Sequence, residues 1–305
     1  MTHPRPDHDS DTRDVSVAFV TKTYGPDLER CELLCRTIDR FVCLTSHLIV
    51  VDARDLPAFA HLEGPGRRVV ATEDVLPVRM RRFTLGPVAR RRNVWLSLAT
   101  RPVRGWLVQQ MVKLAAASVS TEDVLVHVDS DIVFVRPFDS LAHARGAVPL
   151  FHVADAIDTQ LPTHVRWHRT AERLLDVAPA PLPAPDFVGP LIFWRRENAS
   201  ALLEHIERRV GSNWLAALAR ANDVSEYTLY GRFATDVLGP ASGHRLTDAP
   251  LCYCYWDTSP LDDDGLEEFL EGIGDEVSVM LNPKAGMSAN WYGPLLERAL
   301  QSHVP

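Results

Sequence analysis

The chain has 305 residues, of which 46% are apolar and 24% charged, a balance typical of a globular protein with one large domain or two small ones. Its formal net charge is -8, so no global positive field exists that would attract a polyanion, and nucleic acid is not expected as a partner. No apolar stretch approaches the roughly 20 residues of a transmembrane helix, which argues against a membrane span.

The N-terminal residues 1–14 are polar and contain four aspartates. Because they lack an apolar run they are unlike a secretory signal, and we interpret them as a disordered leader. The five cysteines are too few, and odd in number, for a disulfide framework, so we expect buried thiols in a reducing compartment. These features predict a cytoplasmic protein whose structured part covers residues 15–305.

The first structured segment predicts strands that alternate with helical or loop crossovers. Strands are predicted at Val15–Val20, His47–Val51 and Arg68–Ala71, and a helix is predicted from Asp27 to about Phe41. This order is typical of a doubly wound α/β fold. Because ligands of such folds bind at the carboxyl ends of the strands, the loop of residues 21–27 and Asp52 are expected at a binding edge.

Basic residues are distributed unusually. Residues 79–92 carry six arginines around Gly86 and Pro87. The segment is either a solvated basic loop or a lid that meets phosphate, since clustered guanidinium groups pair with phosphate oxygens. Of the 32 basic residues only Lys22, Lys113 and Lys284 are lysines, which weakly favours them as positions where a compact ammonium is needed.

The rest of the chain predicts further α/β structure with less regular spacing. Helices are predicted at residues 106–117, 163–176 and 197–210, and strands at residues 124–128, 132–135, 191–194, 251–256 and 277–281. The proline-rich segment 178–190 is predicted to be neither a helix nor a central strand. The sequence has no internal repeat and no clear linker, so one mixed α/β domain is preferred over two.

Asp129 and Asp131 stand out by their context rather than by their spacing. Four Asp-x-Asp pairs occur in the chain, but only this pair interrupts two apolar strands, VLVHV and IVFV. Charged residues are rarely tolerated there unless they are paired or bind a metal. Two carboxylates at a sheet edge form a hard oxygen site, suited to Mn²⁺ or Mg²⁺ bridging a diphosphate. The alternative is a pair of strand-end caps.

Four segments of the sequence resemble a bacterial family of nucleotide-sugar glycosyltransferases with the GT-A fold, namely RGWLVQQMVKL, TEDVLVHVDSDIVFVRPF, FVGPLIFWRRE and SEYTLYGRF. The resemblance spans residues 15–290 and implies a GT-A-like α/β fold, a Rossmann-type mixed sheet with helices on both faces of a single large domain. Residues 15–135, ending in the DxD motif, would form the nucleotide-donor half, and residues 136–305 the acceptor half. The implied reaction is a divalent-metal-dependent transfer of a sugar from a UDP- or GDP-sugar to a hydroxyl of a small-molecule or glycan acceptor.

The same resemblance implies roles for individual residues. Asp131 would be the principal metal ligand, with Asp129 contacting the metal or the ribose. Further donor contacts are implied for Thr21, Tyr24 and Asp52 around the base and ribose, for Gln109, Gln110 and Lys113 on the helix before the motif, for Gly189 in a loop under the donor sugar, and for Lys284 in a late loop near the diphosphate. The alternatives are an ordinary surface or core-edge helix for the helical residues and a solvated loop for Lys284.

Glu226 is the general base that the resemblance implies. It lies at the distance from the metal motif at which inverting GT-A enzymes carry an acidic residue that deprotonates the acceptor hydroxyl. The alternatives are a structural or capping glutamate at the start of a helix or, in a retaining enzyme, an acceptor-binding residue.

Two other function classes stay open at this stage. A metal-dependent nucleotidyltransferase or phosphohydrolase could also use paired carboxylates, although the loop TKTYGPD after the first strand lacks the glycine-rich, basic pattern of sugar nucleotidyltransferases. A non-catalytic nucleotide-sugar-binding protein is the other alternative, although a binding module has no need of a complete metal site. Fold analogy alone cannot decide between them.

Overall fold

The structure, a computed structural model, describes residues 14–84 and 93–302. Nearly all of the predicted leader lies outside the described residues, as do Arg90, Arg91 and Arg92 of the basic segment. The two interpretations of that segment, solvated loop or phosphate lid, therefore stay predictions.

The strands are labelled β1 to β17 in chain order. They are Val17–Lys22, Val42–Cys43, Ser46–Val51, Arg67–Ala71, Arg81–Thr84, Asn93–Leu96, Val103–Arg104, Val124–Val128, Ile132–Phe134, Phe138–Asp139, Val148–Phe151, Val153–Ile157, Ala184–Asp186, Leu191–Arg195, His244–Thr247, Cys252–Tyr255 and Ser278–Leu281.

The α-helices are labelled α1 to α11. They are Leu28–Phe41, Leu56–Phe59, Thr72–Val75, Gly105–Val119, Ser140–His143, Pro162–Leu175, Arg196–Val210, Trp214–Ala221, Glu226–Arg232, Asp263–Glu271 and Ala289–Ser302.

Five of the strands form the central sheet, in the order β14-β8-β1-β3-β4. Strands β8, β1, β3 and β4 run parallel, while β14 pairs antiparallel with β8. The parallel strands are rich in Val, Ile and Leu, as expected for strands that are covered on both faces. The sheet is therefore mixed and mostly parallel.

Alternate residues of the central strands point to two different helix layers. Val20 of β1 belongs to a core to which α4, α7, α8 and α9 contribute. Its neighbour Phe19 lies in a second core with Leu34 and Ile38 of α1. Because side chains alternate along a strand, helices cover both faces. The predicted α/β class, with a mixed sheet, helices on both faces and one domain, is confirmed.

The predicted elements agree with the structure to within about two residues at their ends, the usual uncertainty of helix and strand limits. In the small sheets, β9, β16 and β17 were predicted, whereas the other short strands were not. The proline-rich segment contains only the three-residue strand β13, which pairs with β12 in a separate two-stranded sheet. The acidic stretch that begins at Asp262 forms α10, and the Asp262 carboxylate accepts a hydrogen bond from the N–H of Gly265 at 2.9 Å.

All five cysteines are free thiols. Cys31, Cys35 and Cys252 are buried as predicted, but Cys254 is half-buried and Cys43 is exposed, so the expectation of buried thiols is wrong for Cys43. The reason is that β2, which ends at Cys43, belongs to a two-stranded pair away from the cores. Among the described residues, every helix is too short or too polar to cross a lipid bilayer.

Candidate functional site

The carboxyl ends of three neighbouring parallel strands bring charged residues to one edge of the central sheet. Lys22 is the last residue of β1, Asp52 follows β3, and Asp129 follows β8. Side chains from these three strand ends line a cleft. The cleft lies at the edge where the sequence predicts ligand binding, as expected for an open α/β sheet.

The cleft has two adjoining compartments. The Asp131 compartment encloses about 290 Å³, and its lining includes Lys113, Asp129, Asp131, Val188, Glu226 and Tyr227. The Asp52 compartment encloses about 230 Å³, and its lining includes Tyr24, Asp52, Arg82 and Trp95. Both compartments are lined by Lys22, Trp106 and Gln109, which therefore mark the boundary between them.

The ammonium group of Lys113 is at the centre of the Asp131 compartment. It donates hydrogen bonds to Oδ1 of Asp129 at 3.0 Å and to the hydroxyl of Tyr227 at 2.8 Å, and lies 3.1 Å from Oε1 of Glu226. Burial alone would lower the pKa of Lys113, but the attraction of Asp129, Tyr227 and Glu226 outweighs it and raises that pKa well above its ordinary value. Lys113 is therefore a fixed cation between two carboxylates.

Glu226 is the first residue of α9 and is almost completely buried, with 1% of its side chain exposed. Ser225 caps this helix by accepting a hydrogen bond from the N–H of Thr228, and the N–H of Glu226 donates to Oε1 of Gln110 at 3.3 Å. Burial raises the pKa of Glu226, and the opposing attraction of Lys113 is smaller. Oε1 lies 3.1 Å from the ammonium group of Lys113 and has no other polar partner within the described part of the chain. A carboxylate of this kind is suited to accept a proton.

Asp131 presents an unpaired oxygen to the same compartment. Its Oδ1 is buried and has no hydrogen-bond partner among residues 14–84 and 93–302. Burial, and then the charge of Asp129, raise the pKa of Asp131 to about 7. A buried carboxylate oxygen without a donor is costly unless a ligand contacts it.

The two aspartates fit a hard divalent cation. Carboxylate oxygens are the ligands that Mg²⁺ and Mn²⁺ prefer, and the unpaired Oδ1 of Asp131 is such a donor. The described residues contain no group of three or more His, Cys, Asp or Glu side chains arranged for a metal. A cation held by Asp129 and Asp131 would thus take its remaining ligands from water and a bound phosphate, as Mg²⁺ commonly does.

The charges of the Asp131 compartment also favour a bound divalent cation. Lys113 is paired with Asp129 and Glu226, and Asp131 has no ion pair among the described residues of the lining. Two other charged residues of the lining are already paired, Lys22 with Asp52 and Asp27 with Arg30. When the three carboxyls are ionised, two negative charges are left in excess, which is the charge that one divalent cation neutralises.

Replacing Asp131 by asparagine is expected to stabilise the metal-free protein at pH 8. Because the pKa of Asp131 rises on folding, from about 3.9 in an unfolded chain to about 7, the wild type loses stability relative to the variant as the pH increases through this range. We expect a difference of about 4 kcal/mol at pH 8 and of about 1.5 kcal/mol at pH 5. Urea unfolding in EDTA at both pH values measures it. A variant less stable than the wild type at pH 8 would contradict the assigned environment of Asp131.

The Asp52 compartment has a basic floor. Oδ1 of Asp52 accepts hydrogen bonds from Lys22 at 3.2 Å and from Thr72 at 3.3 Å, while Oδ2 contacts Arg82. Lys22 also donates to the carbonyl of Thr23 at 2.7 Å, and burial lowers its pKa against the attraction of Asp52. Asp52 lines the compartment as predicted, but its two oxygens are engaged by neighbouring groups of the protein.

A short loop is fixed beside the helix that carries Glu226. The ring of Phe187 lies so close to Gly231 of α9 that a Cβ there would be 2.3 Å from the ring. Only glycine allows this approach, because any side chain would displace the ring. The next loop residue, Val188, lines the Asp131 compartment, and its N–H donates to Oδ1 of Asp186 at 3.0 Å. The loop predicted to lie near a ligand therefore contributes to the cleft.

The structure brings together most of the predicted site residues. Those that line the cleft are Tyr24, Asp52, Gln109, Gln110, Lys113, Asp129, Asp131 and Glu226. Three others do not line either compartment in the described part of the chain. Thr21 lies inside the sheet, where its hydroxyl is 3.0 Å from Nε2 of His47. Gly189 follows the lining residue Val188, and Lys284 is exposed in a 3₁₀ turn after β17.

Sequence reasoning missed several residues of the cleft. Lys22 was favoured only weakly, as one of three lysines and as part of the loop expected at the binding edge, and no role was predicted for it. Tyr227, next to the predicted base, was not singled out although its hydroxyl contacts Lys113. Trp106 and Trp167 were missed because their rings meet only through the packing of α4 and α6. No local pattern indicates that contact.

A family model described as a family of unknown function, DUF6492, matches residues 13–248. This range covers more than half of the chain and includes the strands of the central sheet, Lys113, both motif aspartates and Glu226. No curated protein matches the chain.

Proposed function

The chain belongs to the DUF6492 family of unknown function, and for this member we propose a divalent-metal-dependent glycosyltransferase that moves a sugar from a nucleoside diphosphate to an acceptor hydroxyl. The observation that carries the proposal is the arrangement around Lys113. One buried ammonium holds Asp129 and lies against Glu226, beside the unpaired oxygen of Asp131. This arrangement supports the proposal, because the two aspartates and Glu226 line one compartment.

The donor is proposed to occupy both compartments. The Asp52 compartment would take the nucleoside, with Tyr24 at its wall, and the Asp131 compartment would take the sugar. Lys22 lies at the boundary, where the diphosphate linking the two parts would be. An ammonium group is a suitable partner for phosphate oxygens.

The proposed cofactor is Mn²⁺ or Mg²⁺, held by Asp129 and Asp131. Such an ion, when bound, supplies positive charge that stabilises a departing diphosphate. The excess of negative charge in the Asp131 compartment supports this assignment, because without a cation it would repel the donor phosphates. Lys113 keeps Asp129 in position by the hydrogen bond of 3.0 Å.

Glu226 is proposed as the general base. The acceptor hydroxyl oxygen forms a bond to the anomeric carbon of the donor sugar, the bond from that carbon to the diphosphate oxygen breaks, and the hydroxyl proton passes to Glu226. Burial supports this role by raising the pKa of Glu226, which strengthens it as a proton acceptor. The nucleoside diphosphate leaves with the electron pair of the broken bond.

A thermal-shift panel tests the proposal directly. UDP, GDP, dTDP, ADP and CDP are each added with and without Mn²⁺. A ligand that binds the native state raises the melting temperature, because at a hundred times its Kd it increases the free energy of unfolding by about 2.7 kcal/mol. We expect a shift for at least one nucleotide that requires Mn²⁺ and is absent in Asp131→Ala. A shift of the same size in EDTA, or in Asp131→Ala, would contradict the metal site.

The products separate this proposal from the phosphohydrolase alternative. Glycosyl transfer releases a nucleoside diphosphate, whereas hydrolysis within the diphosphate of a nucleotide sugar releases a nucleoside monophosphate. Chromatography of a reaction with the nucleotide sugar selected by the thermal-shift panel distinguishes them. Monophosphate as the main product would exclude the transferase.

We also infer a cytoplasmic location. The five free thiols, three of them buried, support a reducing compartment.

A further inference from the structure

Two tryptophans that line the Asp131 compartment stack on each other. The rings of Trp106 and Trp167 have centroids 5.8 Å apart and an interplanar angle of 18°. Trp106 is 44% exposed, although large aromatic side chains are usually more buried. A rigid, exposed aromatic surface beside a polar cleft is typical of a binding surface.

The pair is associated with the reaction side of the cleft. Trp106 lies on the first turn of α4 and lines both compartments, whereas Trp167 of α6 lines the Asp131 compartment and is absent from the lining of the Asp52 compartment, as far as the described residues define it. The pair therefore shares the Asp131 compartment with Glu226, and Trp106 alone of the two also lines the compartment proposed for the nucleoside.

The position of Trp167 is fixed by hydrogen bonds. Its indole N–H donates to Oδ1 of Asp223 at 3.1 Å. The helix that carries it is tied to the helix of Glu226, because Arg232 donates to Glu172 at 3.2 Å and lies 3.3 Å from Nδ1 of His168. These contacts fix the helix of Trp167 relative to the helix of Glu226. Little conformational entropy would therefore be lost when a ligand binds between them.

Polar groups border the aromatic surface. The ring of His164 lies 4.5 Å from that of Trp167, and its Nδ1 is buried without a hydrogen-bond partner in the described residues. Nδ1 is 3.8 Å from Oδ1 of Asp186, too far for a hydrogen bond. A ligand that suits this surface combines an apolar face with hydroxyl groups around its edge.

We propose that the acceptor is a carbohydrate whose pyranose ring stacks on the Trp106–Trp167 pair and directs one hydroxyl toward Glu226. The C–H face of a pyranose supplies the apolar surface for the rings, and its hydroxyls supply partners for His164 and Asp186. The assignment rests on the proposed glycosyltransferase and names the chemical class of its acceptor.

The test compares sugar binding with nucleotide binding in matched variants. The probes are the methyl α- and β-pyranosides of glucose, galactose, mannose and N-acetylglucosamine. Their binding to the wild type is observed by saturation-transfer NMR in the presence of diamagnetic Mg²⁺ and the nucleotide selected by the thermal-shift panel. The variants are Trp167→Ala, Trp167→Phe and Trp106→Ala, with Trp256→Ala as the control, because Trp256 is 67% exposed and outside the lining of the cleft.

We expect at least one pyranoside to bind and its Kd to rise about tenfold in Trp167→Ala and Trp106→Ala, as for loss of an aromatic contact. Trp167→Phe should retain most of the affinity, and Trp256→Ala all of it. The Mn²⁺-dependent nucleotide shift should stay within about twofold in Trp167→Ala, which also shows that this variant is folded.

Three outcomes would overturn the assignment while leaving the proposed function intact. In the first, the wild type binds a nucleotide but no pyranoside. In the second, Trp167→Ala binds the pyranoside as tightly as the wild type does. In the third, the tryptophan variants lose nucleotide binding but keep sugar binding. The last would assign the pair to the nucleobase. Failure of every nucleotide to bind the wild type would instead overturn the proposed function itself.

Discussion

Glu226→Gln is expected to reduce sugar transfer by about 10²–10⁴-fold while nucleotide binding stays within about twofold of the wild type. Glutamine keeps the shape of the side chain but cannot accept the hydroxyl proton. Lys113 keeps its hydrogen bonds to Asp129 and Tyr227 in this variant, so the proposed cation site is undisturbed. Transfer is measured as release of nucleoside diphosphate, and binding as the Mn²⁺-dependent thermal shift.

Glu197→Gln is the matched control, because Glu197 is ion-paired with Arg195 but 66% exposed and distant from the cleft lining. It should retain full transfer activity. Glu226→Gln with more than about a tenth of the wild-type rate would remove Glu226 from the role of base, since loss of a positioned proton acceptor costs more than that. A large loss of nucleotide binding would make Glu226 a donor-binding residue.

The sequence allowed the sheet edge to be predicted well because its signals are local. Asp52 and Asp129 each follow a continuous apolar strand, and parallel strands in a doubly wound sheet have their carboxyl ends at one edge. Asp131 could be assigned to the same edge from its two-residue spacing. In each case the strand and the charged residue are neighbours in the chain.

The contacts that organise the compartment could not be predicted in this way. Lys113 and Tyr227 are 114 positions apart, and their hydrogen bond exists only because α9 packs beside α4. The stacking of Trp106 on Trp167 depends equally on the approach of α6. Such contacts follow from tertiary packing, which one sequence does not specify at the level of side chains.

Lys284, by contrast, is not among the described residues that line the cleft. The resemblance to GT-A enzymes suggested that a late basic loop closes over the diphosphate, and the rarity of lysine favoured Lys284. In the structure Lys284 is exposed in a short 3₁₀ turn. The side chain of Asn282 caps this turn by accepting a hydrogen bond from the N–H of Lys284 at 3.0 Å. Residue rarity was a better guide for Lys22 and Lys113, which both end within the cleft.

Lys113→Met is expected to have the largest effect on stability, a loss of about 3–5 kcal/mol at pH 8. Methionine fills a similar volume but leaves the carboxylates of Asp129 and Glu226 without the cation between them. The pKa of Glu226 then rises further in the folded variant, because Lys113 no longer opposes the effect of burial, so the stability of the variant falls further below that of the wild type as the pH rises above about 4.3, where unfolded glutamate ionises. The deficit should therefore be smaller at pH 5 than at pH 8.

Urea unfolding at both pH values measures this effect, and two further variants show its origin. Lys284→Met removes an exposed lysine and should change the free energy of unfolding by no more than about 0.5 kcal/mol. Lys113→Met combined with Glu226→Gln removes one of the two uncompensated charges, so it should be more stable at pH 8 than Lys113→Met alone. If the double variant is no more stable, the loss in Lys113→Met comes from packing, and the charge contact between Lys113 and Glu226 contributes little to the fold.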